Sequence, residues 1–216
     1  MKNKKVKWYK SLIVRVNWSI ILILIIFISL LSWTINNLAS DELRDQAKEV
    51  NLENAKSLKR NVNNFLDNTE DIIFLTANFL DHHLDSDQEI RELLKKVKKE
   101  YSNFKYIYYA DSSGKMLIQP EVNLSLDYDP RQRIWYQKAL SDDQLIWTDS
   151  YLDANDQYLM ITVALPIKND QGKILGVLAG DILLNDLSIT ISNKKIGESG
   201  YAFIVNQKGE FIAHPD

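Results

Sequence analysis

The sequence predicts an α+β chain in which an N-terminal transmembrane helix and a long stalk helix lead into an antiparallel sheet. Three observations carry that reading. A charge-free apolar stretch lies near the N terminus, no glycine or proline occurs before Gly114, and strand–turn–strand signatures recur after Phe104.

The membrane element comes first. From Val16 to Ser40 there is no charged residue, and Ile20 to Leu31 is almost continuously aliphatic. About 20 residues of helix cross a hydrocarbon core roughly 30 Å thick, so this stretch is long enough. Trp18 and Trp33 stand near its ends, where indoles favour the interface. Lys2, Lys4, Lys5, Lys7, Lys10 and Arg15 precede it without a single acid. That basic tip predicts a cytoplasmic N terminus with the following residues outside. A cleaved signal peptide is the rival, with Leu38-Ala39-Ser40 as the site. Signal peptides have apolar cores of only about 7–15 residues, which favours an uncleaved anchor.

With no early breaker, the helix is expected to continue well beyond the membrane. Leu58, Val62, Phe65, Ile72 and Phe79 fall roughly on one stripe. Such a stripe packs on its own domain, on the stalk of a second copy, or on both. A further helix is expected from Asp87 to about Tyr101.

The sheet is read from its turns. Asp111-Ser112-Ser113-Gly114, Asn169-Asp170-Gln171-Gly172 and Asn206-Gln207-Lys208-Gly209 each separate two apolar runs. An Asx residue followed three later by glycine is a hairpin signal, with glycine taking positive φ. Consecutive hairpins with flanking helices give an antiparallel α+β sheet. The first and third hairpins repeat: Asp111, Gly114, Pro120 and Glu121 correspond to Asn206, Gly209, Pro215 and Asp216. Two tandem modules are therefore expected, the second beginning near Ile196, with the polypeptide truncated inside it.

Composition narrows the function. The net charge of −3, less the +6 of residues 1–16, leaves −9 on the remainder, so no basic nucleic-acid face forms. There is no cysteine, and the histidines are His82, His83 and His214, too scattered for an obvious metal centre. No nucleophile elbow, zinc motif or phosphate loop occurs. The expectation is a non-enzymatic chain with no catalytic residue, metal or cofactor.

The chemistry concentrates in Asp127 to Leu140 and in two later segments. Asp129 followed by Pro130 is a helix start, with a side-chain cap and proline at the first position. Arg133 and Tyr136, three apart, would share a helix face. A guanidinium fork matches a carboxylate, and nearby hydroxyls add donors. Asp181 interrupts the apolar run Ile174 to Leu184, and a buried carboxylate needs a partner. That partner is either Arg133 or a ligand ammonium. Tyr151 and Asp153 add another hydroxyl and another carboxylate.

The pattern Tyr128-x4-Arg133-x-Trp135-Tyr136-x14-Tyr151-x-Asp153-x27-Asp181 resembles the amino-acid-binding motif of double Cache sensor domains. These form the extracytoplasmic part of bacterial chemoreceptors, histidine kinases and cyclic-dinucleotide enzymes. The resemblance covers residues 17–216 and implies a PAS-like sheet. It assigns 1–16 to a cytoplasmic tail and 17–37 to the transmembrane helix. Residues 38–195 become the stalk helix and membrane-distal Cache module, and 196–216 the start of a truncated second module. Tyr128, Arg133 and Trp135 would hold a ligand carboxylate, with Tyr136, Tyr151, Asp153 and Asp181 around its ammonium. The implied partners are a free amino acid, the bilayer and a second copy through the stalk helix, with no nucleic acid. On a regular helix, Trp135 lies about 200° round from Arg133 and cannot share its face. Either this turn is irregular or the indole packs into the core. Two alternatives remain open: the same fold holding another amine, organic acid or purine, and a ligand-free structural module.

Overall fold

The computed structural model describes residues 12–81, 86–125, 127–153, 158–186, 188, 200–205, 209 and 211–214. The chain divides into a unit of residues 1–54 and a unit of residues 55–216.

The first unit is helical throughout its described part, within helix α1 (Leu12–Asp81). This helix is long and apolar enough to cross a membrane. Ile23, Phe27 and Ile28 are all exposed there. Such a face is stable only against an apolar surrounding.

In the second unit, α1 continues beside helix α2 (Asp87–Glu100), and both cover one face of a sheet. Ser86 caps α2, its hydroxyl accepting from the Glu89 amide at 3.3 Å. Asp87 and Glu89 in the first turn and Lys98 and Lys99 in the last complement the helix dipole. The sheet contains β1 (Tyr106–Asp111), β2 (Met116–Gln119), β3 (Ile146–Trp147), β4 (Tyr151–Leu152), β5 (Leu159–Lys168) and β6 (Ile174–Leu183). Its order is β2-β1-β6-β5-β3, with β4 also on β5, and every pairing is antiparallel. The short strands β3 and β4 had no signature of their own in the sequence.

The turns form as their residues dictate. The Asp111 carboxylate accepts from the amides of Ser113 and Lys115, and Asn169 Oδ1 accepts from those of Gln171 and Lys173. Gly114 and Gly172 take φ of +95° and +75°. In the third signature Gly209 has φ +80°, between β7 (Ile204–Val205) and β8 (Phe211–Ala213), which pair antiparallel. Residues 206–208, and the expected start of the second module at 196–199, lie outside the described residues, as do His82 and His83.

Two apolar layers sandwich the sheet. Ile107, Tyr109, Leu117, Val163, Leu178 and Ile182 pack with Ile73, Leu80 and Leu94 of the helices. The alternate residues Tyr106, Tyr108, Ile118, Ala164, Val177 and Ala179 pack with Trp135, Tyr136 and Ala139 of helix α3 (Ile134–Asp142). Burial on both faces explains why β5 and β6 read as continuous apolar runs.

The α1 stripe needs one correction. Leu58, Val62 and Phe65 pack against the core and Ile72 is buried, but Phe79 is 59% exposed. The inward face is centred on Thr69 and Thr76, whose hydroxyls bond back to Phe65 and Ile72 carbonyls. At 100° per residue, Phe79 stands about 60° round from Thr76 and about 80° from Thr69.

Candidate functional site

The site is built on the sheet face beneath α3. Asp129 accepts from the Arg131 amide at 3.0 Å and caps a 3₁₀ turn (Pro130–Gln132) that opens on its proline. The turn does not run on into a helix. Arg133 is extended, with φ −81° and ψ 147°, and stands as the N-cap residue of α3. The expected shared helix face of Arg133 and Tyr136 is therefore corrected. The same irregularity removes the 200° difficulty, because Arg133 and Trp135 no longer belong to one regular helix.

Six of the seven residues singled out in the sequence line one pocket: Tyr128, Arg133, Trp135, Tyr151, Asp153 and Asp181. Tyr136 does not. It is buried in the layer under α3, and its hydroxyl donates to the Asp111 carbonyl at 3.3 Å. Tyr106, Tyr108, Met116, Ile118 and Leu124 complete the lining. The atom-free space at the pocket is about 370 Å³, a figure that includes open solvent at its mouth, and the enclosed part is about 20 Å³.

At one end sits Asp181, 5% exposed in the central strand β6, with Tyr106 its neighbour on β1 and Thr162 its neighbour on β5. The hydroxyls of Tyr108 and Thr162 donate to its Oδ1 at 2.7 and 2.6 Å. Tyr151 lies 2.6 Å from Thr162 Oγ1 and 3.4 Å from Asp181 Oδ1. A threonine hydroxyl has one proton, and here it goes to Asp181. Tyr151 is therefore the donor to Thr162. The hydrogen bonds to the Asp181 carboxylate from the described residues, those of Tyr108 and Thr162, thus land on Oδ1, and Oδ2 receives none.

The electrostatics follow from that burial. Desolvation pushes the Asp181 carboxyl up to about 6, with the Asp153 charge adding to it and the three hydroxyls opposing it. Burial likewise raises the Tyr108 and Tyr151 hydroxyls, and the Asp181 charge adds to it. Tyr128 is raised by burial too, while the Arg133 charge pulls it back. All three phenols are neutral donors at neutral pH.

In the same lining, the Arg133 guanidinium lies 5.6 Å from the centre of the Tyr128 ring. Among the described residues it makes no ion pair. Trp135 is 2% exposed and meets Tyr108 edge-on at 4.9 Å. A cation and a carboxylate thus face one cavity without neutralising each other, an arrangement suited to a small ligand bearing both signs. Among the described residues no acid or histidine cluster could hold a metal.

Sequence reading missed Tyr108 and Thr162, which hold Asp181. Their signal was register. Tyr108 shares the Asp181 face by two-residue alternation along β1, and Thr162 is the cross-strand partner of Asp181.

A Cache domain family model (dCache_1) matches residues 36–216. The methyl-accepting chemotaxis protein PscA of Pseudomonas syringae pv. tomato is 37% identical over 114 residues, 53% of this chain and 18% of that protein. PctB of Pseudomonas aeruginosa is 35% identical over 115 residues, with the same two shares. The matched region is thus less than a fifth of those receptors' length. Among solved structures, the ligand-binding domain of Pseudomonas fluorescens chemoreceptor CtaA in complex with L-serine aligns with TM-score 0.67 and 29% identity. That match covers 74% of this chain and 69% of that one. The PctB domain in complex with L-Arg aligns with TM-score 0.65 and 32% identity, covering 72% and 65%. With most of its length under that family model and its sheet matching those of chemoreceptor ligand-binding domains, this chain belongs to the Cache domain family.

Proposed function

We propose that this chain is the sensing region of a membrane-anchored chemoreceptor, and that its pocket binds the α-carboxylate and α-ammonium of a free amino acid. The observation that carries the reading is charge separation within one cavity. Arg133 and Asp181 line the same pocket, are not paired with each other, and Asp181 Oδ2 accepts nothing from the described residues. A direct Arg133–Asp181 ion pair would have favoured a ligand-free structural module. Arg133, with Tyr128 and Trp135, receives the carboxylate, and Asp181, Tyr151 and Asp153 surround the ammonium. The binding role of Tyr136 is indirect at most, since its hydroxyl is engaged with Asp111. Both charges of the ligand would replace water with fixed partners, so each half of the zwitterion depends on the other being seated.

The names of the similar proteins support the class: chemotaxis receptors, two of them solved with amino acids bound. Such proteins are sensors, and no catalytic role is assigned here. In this reading residues 1–16 are cytoplasmic, 17–37 cross the membrane, and 38–195 form the stalk and distal module outside it, with 196–216 opening a second module. The basic tip and the exposed apolar face of α1 support that orientation. A second copy would pair through the stalk.

A thermal-shift screen of the purified chain against the twenty amino acids tests the proposal. A saturable rise in melting temperature with at least one of them is expected. No shift with any of them, at millimolar concentration, would refute it.

A further inference from the structure

The pocket has an uncharged compartment that the zwitterion does not use. Met116 and Ile118 stand two apart on β2, so both face the pocket, while Leu117 between them faces the opposite core. Across the strand pairing, Ile118 is beside Tyr108 and Met116 beside Ala110 on β1, whereas Asp181 is beside Tyr106 on the other edge of β1. The Met116–Ile118 pair is therefore separated from the carboxylate by the width of β1 and displaced along it. Leu124, in the segment after β2, adds a third aliphatic side chain.

Asp181, the lining carboxylate whose register is fixed, lies across β1 from the Met116–Ile118 pair, and Met116, Ile118 and Leu124 themselves carry no charge. A charged side chain seated against those three would be desolvated by groups that cannot pair it, whereas an alkyl chain would gain from leaving water.

We propose that this compartment receives the ligand's side chain and makes the chain selective for amino acids with an uncharged aliphatic or thioether side chain. The inference rests on the amino-acid reading above and narrows it. Calorimetric titration of the full chain in nanodiscs, with leucine, methionine, alanine, aspartate, glutamate, lysine and arginine, is the test. Leucine or methionine is expected to bind at least about tenfold more tightly than any of the four charged amino acids. Met116→Ala, at a half-buried strand position that should tolerate truncation, is expected to weaken leucine about fivefold and alanine less than about twofold. Charged amino acids binding as tightly as leucine, in a manner still lost in Arg133→Ala, would overturn the selectivity and leave the carboxylate reading intact. Equal losses of leucine and alanine in Met116→Ala would also overturn it. Absence of binding by all seven would overturn the selectivity, whereas the amino-acid reading falls only if none of the twenty binds.

Discussion

Asp181 makes ligand binding dependent on pH in a way that can be worked out from its surroundings. Burial raises its carboxyl from 3.8 to about 6. The difference corresponds to about 3 kcal/mol between its two protonation states, at about 1.4 kcal/mol per pH unit. A ligand ammonium at Oδ2 favours the ionised form, so the bound state has the lower pKa. Binding is then full above about pH 6 and is lost as pH falls through that value. With half-ionisation near pH 6, roughly one molecule in ten is ionised at pH 5, so affinity should drop about tenfold between pH 7 and pH 5. The ligand's own two charges do not titrate in that range. Stability of the unliganded chain runs the opposite way. Its native state holds the proton more tightly than the unfolded state, so this group's contribution rises as pH falls from about 6 to about 4. Titration calorimetry at several pH values, on the parent and on Asp181→Asn, measures the first effect, and chemical denaturation of the unliganded chains over the same pH range measures the second. The variant should bind weakly at pH 7 and lack the fall toward pH 5. A parent affinity that is flat from pH 7 to pH 5, or a variant that keeps the same fall, would refute the reasoning.

Three further outcomes follow from named contacts. Thr162→Val keeps the strand shape but removes the 2.6 Å donor to Asp181 Oδ1, so the midpoint of the pH dependence should move upward, read in the same titrations. Gly180→Ala would place a Cβ 2.6 Å from Phe104 Cδ1, and Phe104 is fully buried. Chemical denaturation should show a loss of about 1–3 kcal/mol. Leu80→Ala, at a side chain of zero exposure between α1 and the sheet, should destabilise by about 2–5 kcal/mol in the same assay.

The sequence carried most of what depends on local chemistry. The glycine-free helix, the start of α2 at Asp87 and the Asx-x-x-Gly turns are properties of short segments, and they form as the residues dictate. Of the six site residues that share the pocket, Arg133, Tyr151, Asp153 and Asp181 were marked by their own chemistry, and Tyr128 and Trp135 through the family resemblance. What was not legible depends on tertiary packing. The chain breaks its helix at Arg133, and the cap signature Asp129-Pro130 is equally compatible with a single 3₁₀ turn. Tyr136 faces Asp111 in a helix, α3, that starts at Ile134, four residues after the Pro130 start its cap signature implied. Phe79 lies outside the buried face because α1 is centred on two threonines that hydropathy does not mark. Strands β3 and β4 are two residues each and exist through pairing with β5.

The central claim is that Arg133 and Asp181 hold opposite ends of one amino acid. Calorimetry on the parent, Arg133→Ala and Asp181→Ala tests it most directly. Each would be titrated with the amino acid giving the largest thermal shift, and with that amino acid's counterpart lacking the amino group. A charge-assisted hydrogen bond contributes about 1.5–3 kcal/mol, so either substitution should weaken the amino acid at least roughly tenfold. Arg133→Ala should weaken the simple carboxylate by a similar factor, while Asp181→Ala should leave it unchanged or improve it. Both variants binding the amino acid as the parent does would contradict the account.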